Sequence, residues 1–273
     1  MNAGSGFITS GDVRILFWAS FASTGLVSHG FTTRHGGVSD GVYASLNMAF
    51  HVGDHPARVL VNRSRACAAL GMDPAHLVAG QQVHGDRVAV VDRSHRGRGA
   101  VAGEDSLPAT DALVTGERLL PLSSYYADCV PIFLLDPVCR VVALAHAGWK
   151  GTCLSIGWKT VQTMSRVYGC RPRDCLAIIG PSIGPCCYEV DAPLVDSFQK
   201  NLPFWQQVFI PRGGGKWRLD LWEANRLILL NAGLLPGNIT LAGICTSCRQ
   251  DLFFSYRGSK GCTGRMASLI MLT

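Results

Sequence analysis

Four short apolar runs, each cut off by Gly, Pro or Asp, do most to constrain what this chain can fold into: Arg87–Val91, Ile132–Leu135, Val141–Ala145 and Leu176–Ile179. Runs of this length, partly β-branched and closed by turn residues, read as buried strands. Helical patterns lie between and around them. Pro56–Leu70 has a proline in its first turn and stops at Gly71, the usual asymmetry of helix ends. Thr152–Tyr168 carries Leu154, Trp158, Val161 and Met164 at about helical spacing, and Asp220–Leu234 opens on an Asp and is followed by Pro236. Strands interleaved with helices predict an α/β or α+β fold with helices covering sheet faces. Strand order is not readable from such a pattern. Arg93–Thr110, rich in Gly, Arg and acidic residues, reads as a long flexible loop but not as a domain boundary.

At 273 residues, with apolar positions throughout, the chain is long enough to bury a sizeable core and has no polar tract that predicts disorder. Its net charge of +6 is mild and its basic residues are scattered, which favours a small anionic ligand weakly and nucleic acid less. No stretch reaches the roughly 18 apolar residues that span a bilayer, and the amino terminus lacks a secretion signal, so a soluble cytoplasmic protein is expected. In that setting the eleven cysteines are expected as reduced thiols, mostly core or incidental residues.

Three segments carry candidate chemistry. VVALAHAGWKGT (Val141–Thr152) is an apolar strand ending in His146, turning through Gly148 and Gly151 into a helix whose N-terminus would suit a phosphate. A glycine turn with a locally bonded histidine is the plain alternative. YYADCVPIFLLD places Cys129 beside Asp128 just ahead of a strand, where a buried inert cysteine is the commonest explanation. AGQQVHGD puts His84 in a Gly-flanked turn. Two histidines and a cysteine at strand edges would make the ligand set of a catalytic zinc site with one open position. Cys245 and Cys248 form a lone CxxC without a second pair at zinc-ribbon spacing, so a structural zinc is not expected there, and a redox or pocket role stays open. Cys186 and Cys187 lie in the GPSIGPCCYEV loop and are expected to border the candidate site without reacting. Trp149 and Tyr188 are candidates for stacking on a purine, although packing is at least as common for such rings.

These segments resemble the laccase-domain (YfiH-like) family, formerly called polyphenol oxidases. The resemblance runs from about Gly25 to the carboxyl end, through FTTRHGGVS, SLNMAFHVGD, QQVHGD, TDALVT, ADCVP, AHAGWKGT, GPSIGPCCYEV and FFSYRG in the same order. It implies one laccase domain over residues 1–273, folded as a layered α/β sandwich of mixed sheets covered by helices. It implies a zinc-dependent purine nucleoside phosphorylase acting on adenosine, inosine, guanosine and methylthioadenosine, with adenosine deaminase activity. The metal and catalytic triad then falls on His84, Cys129 and His146, and Arg34 becomes the residue that holds phosphate. Asn47 and Asp128 are further substrate-binding candidates, with Asp128 a guess for the general acid from its adjacency to Cys129. His51 and Asp54 lie in a family-like stretch, and Asp54 would alternatively cap the helix at Pro56.

Three rival readings remain. A copper oxidase needs many imidazoles, and eight histidines with no His-x-His pair disfavour it. A metal-independent hydrolase would use Cys129 as nucleophile with His84 or His146 as base. A non-enzymatic nucleotide-sensing or cell-envelope module would bind without turnover.

Overall fold

A computed structural model describes residues 4–273. In chain order its strands are β1 (Ser5–Ser10), β2 (Val13–Trp18), β3 (Val27–Thr32), β4 (Val78–Ala79), β5 (Val88–Val90), β6 (Ala112–Thr115), β7 (Leu122–Tyr126) and β8 (Val130–Asp136). They continue with β9 (Val141–Ala147), β10 (Leu176–Ile179), β11 (Glu189–Asp191), β12 (Phe209–Gly213), β13 (Lys216–Leu219), β14 (Ile239–Leu241) and β15 (Met266–Leu272). The helices are α1 (Ala19–Ala22), α2 (Pro56–Ala69), α3 (Trp149–Cys153), α4 (Ile156–Tyr168), α5 (Ala192–Asn201) and α6 (Leu221–Asn231). Two six-stranded mixed sheets, ordered β1-β2-β3-β15-β7-β4 and β14-β10-β8-β9-β6-β5, are accompanied by a small β11-β13-β12 sheet.

Alternation along the central hairpin explains the layering. In β8, Val130, Ile132 and Leu134 belong to the core under α4 and α6, whereas Phe133 and Leu135 face Leu16, Phe31, Tyr126 and Ile270 of the other sheet. Both faces are apolar, so these strands are buried throughout. The far face of the first sheet, with Ile15, Leu269 and Met271, packs on Ala66, Cys67 and Leu70 of and beside α2. The result is helix, sheet, sheet, helix: the layered α/β sandwich expected from the resemblance. Among the described residues no helix is long and apolar enough to cross a membrane.

The expected helix Thr152–Tyr168 is instead two. α3 ends at Cys153, and Ser155 adopts left-handed φ 58° before α4 begins. Leu154 and Trp158, counted on the apolar face from their spacing, are 41% and 40% exposed, while Val161 and Met164 stay buried. Asp54 does not cap α2. His55 does, its Nδ1 accepting from the Ala57 N–H, while the Asp54 carboxylate accepts from Ser39 Oγ and Asn47 Nδ2. Part of the Arg93–Thr110 segment is pinned by the buried guanidinium of Arg63, which donates to Gly99 O and Ala100 O and lies over the rings of Phe50 and Tyr125.

Candidate metal centre and cavity

Strand register brings the candidate ligands together. β8 and β9 form an antiparallel hairpin with Val130 opposite Ala147 and Pro131 opposite His146. Cys129, one residue before β8, therefore meets Gly148, one residue past β9. A Cβ on Gly148 would stand 3.0 Å from Cys129 Sγ and 2.9 Å from His84 Cδ2, so only glycine leaves this space open. By the same alternation that sends Val142 and Leu144 between the sheets, His146 points toward the inter-sheet side.

The third strand supplies a residue that the sequence reading left unassigned. β6 pairs with β9, Ala112 opposite Ala145, which sets Asp111 beside His146. The His146 N–H donates to Asp111 O at 2.8 Å, and His146 Nδ1 lies 2.8 Å from Asp111 Oδ1. The same carboxylate accepts backbone N–H bonds from Val83 (3.2 Å), His84 (3.1 Å) and Gly85 (2.8 Å). Burial opposes the charge of Asp111, but His146 and the loop amides hold its carboxyl below the usual range. One buried carboxylate thus orients His146 and folds the loop that carries His84, whose φ of 61° is the left-handed region that such local bonding must hold. The signal in the sequence was the Asp of TDALVT at the head of a strand.

The ligand atoms of His84, Cys129 and His146 all lie within 4.8 Å of one another, and the two imidazole rings are 4.9 Å apart. Burial alone would raise the Cys129 thiol, but the facing imidazoles, His146 above all, hold it below its ordinary range. Burial alone would lower His146, yet Cys129 and Asp111 hold it above. An imidazole oriented from behind by a carboxylate, a second imidazole and an acidified thiol make a donor set that fits a zinc-like ion.

Beside this cluster is a cavity of about 280 Å³ walled by His84, Asp128, Cys129, Trp149, Tyr188 and Tyr256, with Arg257 at its side. Both rings singled out from the sequence, Trp149 and Tyr188, line it. Asp128 does too, at φ 82°, but Oδ1 accepts from Thr246 Oγ1 and Oδ2 from the Arg257 N–H, each at 2.6 Å. These two bonds fix the carboxylate in the cavity wall, and each oxygen keeps a second lone pair.

Two other candidates lie elsewhere. Arg34 donates through Nε and Nη2 to Ala44 O and through Nη1 to Gln250 O, and its guanidinium lies over Phe254. Those bonds tie two loops together and use three of the five N–H groups of the guanidinium. Asn47 is fully buried, bonded to Ala49, Asp54 and the Arg265 N–H, with no face toward a ligand. The phosphate site expected at a helix N-terminus after His146 shrinks with α3, whose five residues give little dipole. Arg257 and Tyr256, from the FFSYRG segment, were missed because only the tertiary fold brings that loop to Cys129.

Fold and site together define a layered α/β protein with a candidate His–Cys–His metal centre at the edge of its sheets. A family model described as multi-copper polyphenol oxidoreductase laccase matches residues 28–273. A Geobacillus stearothermophilus protein named purine nucleoside phosphorylase YlmD is 43% identical over 246 residues, 88% of each chain. A protein named adenosine deaminase RL5, from an unknown prokaryotic organism, is 37% identical, covering 83% of this chain and 87% of that one. The crystal structure of Bacillus licheniformis hypothetical protein YfiH superposes with a TM-score of 0.92 at 40% identity, covering 98% of this chain and 99% of that one. The chain belongs to this laccase-domain family.

Proposed function

We propose that this chain is a zinc-dependent purine nucleoside phosphorylase. It cleaves adenosine, inosine, guanosine or methylthioadenosine with phosphate to the free base and the pentose 1-phosphate, and with water it converts adenosine to inosine and ammonia. The observation that carries this reading is the convergence of His84, Cys129 and His146 beside an aromatic-walled cavity near the size of small-ligand sites. The names of the relatives supply the substrate class.

Held by His84, Cys129 and His146, zinc would act as a Lewis acid that polarises the oxygen of the nucleophile. The chain's own groups bind and orient. Trp149, Tyr188 and Tyr256 offer flat faces to the purine. Arg257, anchored through Nη1 to Glu189 O and lying over the Tyr188 ring, is assigned the phosphate in place of Arg34. Asp111 keeps the proton of neutral His146 on Nδ1, leaving Nε2 as the lone-pair donor.

A second reading is favoured by one specific observation: Cys129, His146 and Asp111 stand in the order of a nucleophile, its base and the base's orienting carboxylate, with the thiol acidified. Incubating the protein with adenosine, with and without phosphate, before and after chelation and zinc restoration, separates the two. Adenine and ribose 1-phosphate formed only with phosphate and only with zinc support the phosphorylase. Full turnover by the stripped protein, abolished by alkylating Cys129, would transfer the chemistry to the thiol.

A further inference from the structure

A second cluster of soft ligands lies away from the candidate centre. β10 and β14 are parallel neighbours, Ile179 opposite Leu241, so the loops that follow them leave the sheet at the same edge. The first loop carries Cys186 and Cys187, the second Cys245 and Cys248. Backbone bonds lock the loops together, Ser182 N–H to Ile244 O and Thr246 N–H to Ser182 O. A turn in which the Cys187 and Tyr188 amides both donate to Gly184 O brings the adjacent Cys186 and Cys187 sulfurs to one side, where an extended chain would send them to opposite faces. The CxxC pair is therefore not alone, contrary to the expectation from spacing. All four Sγ atoms lie within 4.8 Å of one another, with Cys187 to Cys248 at 3.4 Å and Cys186 to Cys248 at 3.5 Å.

We propose that Cys186, Cys187, Cys245 and Cys248 form a closed tetrathiolate site for a soft divalent metal ion, zinc foremost, distinct from the His84–Cys129–His146 centre. At a metal–sulfur distance of about 2.3 Å, tetrahedral geometry sets neighbouring sulfurs roughly 3.8 Å apart, a few tenths of an ångström more than the 3.4 and 3.5 Å contacts and inside the 4.8 Å that contains all four. Disulfide bonds would require sulfurs about 2.05 Å apart. The Gly184 N–H points at Cys245 Sγ at 3.3 Å, the kind of backbone bond that favours a thiolate. A Cβ at Gly184 would come within 2.6 Å of Trp222 and 3.3 Å of Cys186 Sγ, so glycine is required for this approach. Cys245 is buried and Cys187 half-buried, while Cys186 and Cys248 are exposed, which gives the ion an entry path. Binding changes no oxidation state: four Cys–SH and one divalent cation give the tetrathiolate complex and four protons. With all four positions filled by protein, the ion has no place for substrate and acts as a staple. It fastens the loop bearing Ile183 and Tyr188 to the loop bearing Thr246, which holds Asp128.

The test uses the full chain, purified with reductant and titrated with cobalt(II) after metal removal. In the His84→Ala/His146→Ala variant about one cobalt should bind with tetrahedral visible bands and strong sulfur-to-metal charge transfer, and zinc should then bleach the bands and protect about four thiols from alkylation. Zinc analysis should give about two ions per wild-type chain and about one in either this variant or Cys245→Ser/Cys248→Ser. Should the serine variant fail to fold, the cobalt spectrum and thiol protection in the histidine variant decide alone. Absence of the charge-transfer band there, or freshly reduced protein in which zinc protects none of these four thiols, overturns the site. Neither readout depends on nucleoside turnover.

Discussion

Replacing Asp111 by Asn tests the candidate centre through a residue that is not itself a ligand. The carboxylate accepts from His84 N–H and faces His146 Nδ1 through Oδ1, and accepts from Val83 and Gly85 N–H through Oδ2. A carboxamide keeps one acceptor and gains an NH2. With its oxygen toward Val83 and Gly85, its NH2 faces Nδ1 of His146 and can donate only if that nitrogen is bare. The ring proton then moves to Nε2 and the lone pair offered to the metal is lost. In the opposite orientation the NH2 faces two amide donors and the loop of His84 is released. Loss of such an orienting partner costs roughly 10- to 100-fold in metal affinity, about 1.4 to 2.7 kcal/mol. The loop bonds, made to a charged acceptor, are each worth about 1.5–3 kcal/mol, so Tm should also fall. The assay is zinc titration of stripped protein against a competing chromophoric chelator, with thermal unfolding of the metal-free form in parallel. Zinc affinity within about twofold of wild type in folded Asp111→Asn would refute the assignment of His146 as a ligand oriented by Asp111.

Gly148→Ala inserts a methyl 2.9 Å from His84 Cδ2 and 3.0 Å from Cys129 Sγ, so it should cut zinc affinity and turnover strongly; unchanged affinity by the same titration would count against a shared ion at these residues. Arg257→Ala should raise KM for phosphate and slow phosphorolysis more than deamination, whereas Arg34→Ala should lower Tm and affect both activities alike; the reverse pattern in product analysis would return the phosphate to Arg34. His29 is buried and accepts the Trp18 N–H on Nε2, a bond that needs a neutral ring, and burial lowers its pKa from 6.5 to about 4. The unfolded chain therefore takes up this proton first: the stability is intact above about pH 6.5 and falls as pH drops toward 4, by about 3 kcal/mol in full. Chemical denaturation across that range should have a shallower pH slope in His29→Gln, and an identical slope would remove His29 as the cause.

Local chemistry made much of this protein legible in its sequence. The strand Leu176–Ile179, the start of α2 at Pro56 and the Asp220 cap of α6 each follow from periodicity and end signals within about a dozen residues. Motif order supplied the family, and with it the candidate ligands His84, Cys129 and His146. The break at Ser155 escaped notice because tertiary packing outweighed the helical spacing of Leu154 and Trp158. Asp111 became the hub of the site only because β6 pairs with β9 in a register that sets it against His146, and register between strands that are distant in sequence is not written in either one. Arg34 and Asn47 are candidate ligand residues from their motifs, and the carbonyls and amides that hold them come from segments up to 218 residues away. Cys186 and Cys248, 62 residues apart, meet because β10 and β14 run parallel side by side. Side-chain type and spacing determined which groups could act. Pairing between distant segments decided which of them meet, because burial and hydrogen bonding are satisfied in three dimensions and not along the chain.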